Sequence, residues 1–296
     1  MANLIKIILF LTIIIGFGIY FFTQGTNLSE IFPSISKTRK TSPPSPVFPS
    51  RSAPTISPTI FQTTFLESSI PAGFTREQIS PYFQKITISS AYSSSYGGYP
   101  SQIRLYFSLS KDENINITGW RIKSNRREIV IERGINIYSP FEFPAGEDII
   151  ISGNGSINIY NGKSPINRNL RINKCLGYLE NFYDFNPSLP QNCPSIPRSE
   201  IVHLSGQCQS YILSLWGCKL PSVSFYNALP GTDEGNACRA FLNTISHGSC
   251  FLRHRYDIDF LSNEWRIWTD QNILDPQHDR LLLFDKQGLL ADEYVY

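Results

Sequence analysis

Short stretches of the distal chain alternate apolar with polar residues: Lys85–Ser89, Gln102–Phe107, Asn116–Ile122, Glu128–Glu132, Asp148–Ile151 and Ser156–Tyr160. A period of two puts one set of side chains on a core face and the other in solvent, so each stretch reads as a half-buried strand. Gly, Asn, Ser and Pro clusters separate them, and short strands spaced by turn residues predict an antiparallel sandwich or barrel. Gly153-Asn154-Gly155 accepts positive φ and predicts a tight hairpin. Near Ile166 the period changes: Gln209–Trp216 and Glu234–Ile245 read as helices, the latter with Ala237, Ala240, Phe241 and Leu242 on one face. Alternation returns at Glu264–Thr269, Asp279–Asp285 and Leu289–Tyr296, with Lys286-Gln287-Gly288 as a turn. The pattern is a sheet begun in residues 73–165, interrupted by 166–260 and completed by 261–296. Trp120 and Trp265 each open an alternating strand and are expected to be buried, because an exposed indole is costly.

Upstream, Ile7–Phe22 carries no charge, and Lys6 can snorkel. As a helix rising about 1.5 Å per residue, residues 4–22 reach about 28 Å, close to the hydrocarbon thickness of a bilayer. The run ends Phe21-Phe22-Thr23-Gln24-Gly25, without the Ala-x-Ala pattern of a cleaved leader. Residues 1–24 are therefore expected to form a cytoplasmic tip and a transmembrane signal-anchor. Residues 25–72 are expected to be a linker: Pro, Ser and Thr fill more than half of Thr41–Ala72, which holds little that could build a core.

The cysteines bear on which side of the membrane the rest occupies. Cys175, Cys193, Cys208, Cys218, Cys238 and Cys250 all fall in the interruption. An even, clustered set beyond a membrane-directing segment predicts disulfides in an oxidising compartment, and zinc is disfavoured because no Cys-x-x-Cys spacing occurs. The bulk of this single-pass protein of the cell membrane is accordingly expected outside the cytoplasm. Loop-closure entropy favours sequential pairs: Cys175–Cys193, Cys208–Cys218 and Cys238–Cys250.

The closing stretch Leu274–Tyr296, with an aspartate-led strand, Asp285-Lys-Gln-Gly288 and a last strand ending in Tyr, resembles the final hairpin of lamin-tail-like domains. Asn116-Ile-Thr-Gly-Trp-Arg-Ile122 resembles that family's Leu-x-Gly-Trp strand. The resemblance implies a mainly β, immunoglobulin-like antiparallel sandwich, here interrupted by a disulfide-rich, partly helical insertion. It implies a surface-exposed binding or structural role and no catalytic residues.

Composition narrows the function. A net charge of +2 argues against a nucleic-acid partner, which would call for a basic patch. With 20 Phe, 15 Tyr and 4 Trp the chain has material for a core. His-Glu-x-x-His, Gly-x-Ser-x-Gly and a phosphate-binding Gly-rich loop are all absent. No catalytic residue, metal or cofactor is assigned on these grounds. The alternative is a metal-assisted extracytoplasmic hydrolase built from His254, Asp257, His278 and Asp279. Against it, Asp275, His278 and Asp279 can simply cap the turn into a strand. Tyr178, Tyr183, Phe185 and Trp216 are candidates for a binding surface, or else pack the core of the interruption. The expected activity is recognition of an envelope or extracellular protein or glycan.

Overall fold

A computed structural model describes residues 70–94, 98–142 and 144–296. The anchor expected at residues 4–22 and most of the linker lie outside them. Among the described residues no helix is long and apolar enough to cross a membrane.

The described chain is mainly β. In order, the strands are β1 (Ile86–Tyr92), β2 (Gln102–Ser108), β3 (Asn114–Asn116), β4 (Arg121–Lys123), β5 (Glu128–Val130), β6 (Gly134–Ile135), β7 (Ile150–Ser152) and β8 (Asn154–Asn161). Then follow β9 (Asn169–Asn173), β10 (Leu261–Thr269), β11 (Arg280–Phe284) and β12 (Leu290–Val295). The alternation is realised in burial: in β2, Ile103, Leu105 and Phe107 are buried while Arg104, Tyr106 and Ser108 are exposed. One sheet runs β1-β2-β8-β10-β9-β6, a second β12-β11-β4-β5, and β3 pairs with β7. All three contribute to one apolar core, with Ile86, Leu105, Ile157 and Ile267 from the larger sheet meeting Ile122, Ile129, Leu281 and Leu283 from the second. Trp120 and Trp265 lie in that core, each 2% exposed.

Two expectations are corrected. The sheets are not wholly antiparallel: β10 runs parallel to β8, and β6 parallel to β9. The chain leaves β8, skips one strand position and forms β9; β10 later fills the vacated slot between them. Gly153-Asn154-Gly155 is not a hairpin either. β7 pairs with β3 while β8 pairs with β2 and β10, so Gly153, at φ +61°, carries the chain from one sheet to another.

The closing hairpin forms between β11 and β12. Its turn is organised by Asp285, whose carboxylate accepts from the amides of Gln287 and Leu289, both at 2.9 Å, and from Ser80 Oγ at 2.7 Å.

The interruption starts later than its sequence boundary, since β9 belongs to the sheet. Asn173 and Leu261 are paired, and the Lys174 amide donates to Phe260 O, so residues 174–260 are an excursion between adjacent antiparallel strands. The excursion holds a 3-10 turn (Leu176–Asn181) and helices α1 (Arg198–Ile201), α2 (Gly206–Ser214), α3 (Val223–Ala228), α4 (Asp233–Leu242) and α5 (His247–His254). Ser205, Ser222, Thr232 and Ser246 each accept the amide three residues on, which is why α2 to α5 begin where they do.

The disulfides are Cys175–Cys250, Cys193–Cys218 and Cys208–Cys238, with no free cysteine among the described residues. Full oxidation is as expected; the sequential connectivity is not. Sequence separations of 75, 25 and 30 in place of the short loops cost about 3 kcal/mol more in loop closure. The core that this connectivity permits buries Ile201, Leu204, Ile212, Leu242, Phe251 and Phe260 around the sulfurs, at about 1.5–3 kcal/mol per side chain. Packing outweighs the loop term. Gly177 shows how tight it is: a Cβ there would collide with Cys218 Sγ and Pro190 O.

Candidate functional site

The candidate aromatics do not form one platform. Tyr178 is 6% exposed and packs in the core around the disulfides. Phe185 is 4% exposed and belongs to a different cluster, with Leu170, Ile172, Leu176, Leu179 and Leu189. Tyr183 is exposed, its ring edge-on to Phe185, and Trp216 is exposed with Lys219 Nζ 4.3 Å from its ring centroid. The 3-10 turn sends Leu176 and Leu179 onto β9 and Tyr178 into the core around the disulfides.

The histidine groups separate. His254, at the end of α5, places Nδ1 2.9 Å from Asp257 Oδ2, and Lys174 Nζ reaches the same oxygen at 3.1 Å. Hydrogen bonds from His254 and Lys174 hold the Asp257 carboxyl below its usual range. His278 and Asp279 belong to the entry of β11 instead. Asp279 is buried, and its carboxylate accepts from the amides of Asn125, Arg280 and Asp275 at 2.9, 2.8 and 3.0 Å. That carboxylate is a structural cap, as the turn reading of Asp275, His278 and Asp279 anticipates. Among the described residues no group of three or more His, Cys, Asp or Glu is placed to hold a metal.

His254 stands on the rim of a cleft of about 250 Å³ in the excursion, with Tyr178, Ser195, Glu200, Ser249 and Arg253 also lining it. Arg253 and Glu200 pair across it at 2.5 Å, so the most basic group of the cleft is already satisfied. None of the cleft's serines hydrogen-bonds to His254; Ser246 Oγ instead caps α5.

A wider concavity opens in the β-rich region. It is a groove of about 790 Å³ whose walls include Glu128 and Val130 of β5, Arg133, and Lys163, Ser164 and Arg168 of the β8–β9 connection. Its volume falls in the range of ligand-binding clefts, about 300–1,000 Å³. Buried Ile129 and Ile267 form its floor. Asn169 braces it: Nδ2 donates to Arg133 O at 3.0 Å, while Oδ1 accepts the Trp268 amide at 3.0 Å. Lys163 Nζ lies 3.6 Å from Asp270 Oδ2, and Arg133 Nε 3.0 Å from Asp148 Oδ1. Ser164 Oγ is buried in the wall without a hydrogen-bond partner.

No known protein family, curated protein or solved structure matches this chain. The functional reading therefore rests on the residues themselves. Sequence reasoning missed the groove because its walls come from β5, the β8–β9 connection and the end of β10, which only the sheet order unites. The polar run Gly162-Lys-Ser-Pro-Ile-Asn-Arg168 between β8 and β9 is the one local signal it offered.

Proposed function

We propose that the chain is a membrane-tethered binding module. In this reading the apolar residues 4–22 hold it in the cell membrane. Its β-rich region, of the immunoglobulin-like kind that the lamin-tail resemblance implies, faces an envelope or extracellular protein or glycan. The observation that carries it is the pairing of all six cysteines in a single excursion, which fits an oxidising compartment and a surface pre-organised for contact. The open, braced groove gives such a module a place to bind. The His254–Asp257 contact favours a hydrolytic second reading, in which Asp257 orients the imidazole. It supplies neither a nucleophile nor the expected partners His278 and Asp279.

The test uses the labelled full-length protein and envelope preparations from cells lacking it. Saturable binding that survives His254→Ala, together with protease access to the β-rich region from outside intact cells, is the expected result. Non-saturable binding, or protection from external protease, would refute the reading. Turnover of an envelope polymer that is lost in His254→Ala would replace it with the hydrolase.

A further inference from the structure

A sheet edge exposes unpaired backbone groups, and folded proteins normally cap or distort such edges. The outer strands of the two larger sheets are β1, β6, β12 and β5. In β1 a bulge falls between Ile88 and Ser90, and Asp292 Oδ2 takes the Ile88 amide at 2.6 Å. In β6, Gly134 exchanges both backbone hydrogen bonds with Glu147, at 3.0 and 2.8 Å. Along β12, the amides of Ser80 and Gln84 donate to Leu290 O and Ala291 O at 2.8 and 3.1 Å. Those contacts cover each of the three edges in part, leaving Glu293 and Val295 at the end of β12 without an outward backbone partner.

β5 is different. Ile129 is opposite Ile122 in the ladder, and the flanking bonds run from Ile131 N to Trp120 O and from Ser124 N to Arg127 O, at 2.8 and 2.9 Å. In an antiparallel pair such bonds fall on every second residue. Arg127, Ile129 and Ile131 therefore face β4, while Glu128 and Val130 turn their N–H and C=O groups the other way. Among the described residues nothing pairs with them. This bare edge is the rim of the braced groove, and Val130 is 52% exposed there. The buried, unpartnered Ser164 hydroxyl in the same groove is a second, independent sign of a missing partner, because such a group normally finds one.

We propose that β5 accepts an extended segment of a partner polypeptide as an added strand, lying in the groove between β5 and the β8–β9 connection. This deepens the binding-module reading and rests on it. The chemistry selects the partner class. Donor and acceptor alternating at the two-residue repeat of a strand are complementary to another extended backbone, and main-chain bonds then supply affinity while alternate side chains supply choice. The chain's own Pro-rich residues 41–72 are poorly suited, since proline brings no amide to the ladder. Ile129 and Ile267 in the floor favour an apolar side chain at the inward position of the incoming strand.

The probe is a random dodecapeptide display library selected on the immobilised full-length protein, with Val130→Pro as the counter-selection. That variant leaves the Ile129 and Ile131 bonds to β4 intact and removes only an outward amide, a position where proline is tolerated at an edge. Enriched peptides should bind the wild type in fluorescence anisotropy and bind Val130→Pro about tenfold more weakly or worse. N-methylating alternate peptide amides on one edge, but not on the other, should abolish binding, a readout that does not depend on how the variant folds. Failure to enrich, equal binding to Val130→Pro, or indifference to N-methylation would overturn strand addition. So would a glycan competing for the groove, or dimerisation of the protein itself that Val130→Pro removes. The envelope-binding assay is run beside it: saturable envelope binding with no peptide binding sinks strand addition and leaves the module standing, whereas loss of both sinks the module as well.

Discussion

Replacing Cys175 and Cys250 together by alanine removes the bridge at the base of the excursion, two residues beyond the β9 end of the β9–β10 ladder. The native strands already hold these ends near one another through the Lys174–Phe260 bond, so the folded state loses little geometry. The unfolded state gains much freedom. For a sequence separation of 75, releasing the loop is worth about 4.5 kcal/mol in the chain-entropy account. Residual structure in the unfolded chain lowers this, and about 4 kcal/mol is the working figure. At about 2–4 °C per kcal/mol for a region of this size, the thermal midpoint should fall by roughly 8–16 °C.

Calorimetry of the double variant reads that shift, and single substitution tests the connectivity. In Cys250→Ala, alkylation of the non-reduced, unfolded protein should tag Cys175, because Cys238 remains bridged to Cys208. Sequential pairing would instead leave Cys238 free to be tagged. An unchanged midpoint in the double variant, or a tag on Cys238, would refute the reasoning.

Asp279→Ala should destabilise by about 3 kcal/mol, read by urea unfolding, because it strips a buried carboxylate from the amides of Asn125, Arg280 and Asp275; a loss below 1 kcal/mol would be too small for that cap. His247 is buried, stacked 5.8 Å from Tyr138 with no partner on Nε2, and burial pushes it down to about 4. Its folded value lies below the unfolded reference, so its contribution is complete above pH 6.5 and is lost as pH falls to 4, about 3 kcal/mol in all; His247→Phe should flatten unfolding curves across that window and leave those above it unchanged. Replacing residues 174–260 by a Gly-Ser linker should give a chain that no longer unfolds cooperatively, since it uncovers Leu170 and Ile172 on β9; a sharp transition at the original midpoint would contradict this.

Most strand positions were legible because alternation is a local property; the exception is Asn116–Ile122, which a turn at Thr118-Gly119, with Gly119 at φ +85°, divides between β3 and β4. Leu281 and Leu283 of β11, like Ile103 and Leu105 of β2, announce a buried face whatever the neighbouring strand is. Neighbour identity was not legible. Nothing in Glu264–Thr269 says that it pairs in parallel with Ser156–Asn161 and antiparallel with Asn169–Asn173. The connectivity of the cysteines was hidden for the same reason: loop entropy differs by about 3 kcal/mol between pairings, a bias that burial of a few side chains reverses. At the candidate site, the capping role of Asp279 was readable from turn chemistry. The groove was not, because it exists only where a strand edge and two distant segments meet.

Polar positions in the central strands carry the remaining lesson. Asn158 and Arg266 sit mid-strand with outward-facing side chains, where alternation alone would assign them to water, yet both are buried. Gln102 Nε2 donates to Asn158 Oδ1 at 3.0 Å, Asn158 Nδ2 donates to Glu264 Oε1 at 3.2 Å, and Arg266 Nε donates to the same oxygen at 2.9 Å. Arg266 Nη1 then reaches the carbonyls of Pro187 and Ser188 at 3.2 and 2.7 Å. A chain of hydrogen bonds thus crosses β2, β8 and β10 and ends on the excursion's first segment. That segment covers the outer face of the six-stranded sheet with Leu176, Leu179, Phe185 and Leu189, as a third layer. A buried guanidinium without those carbonyls would be strongly destabilising, so the layer and the network require one another. The excursion is therefore part of the fold's frame.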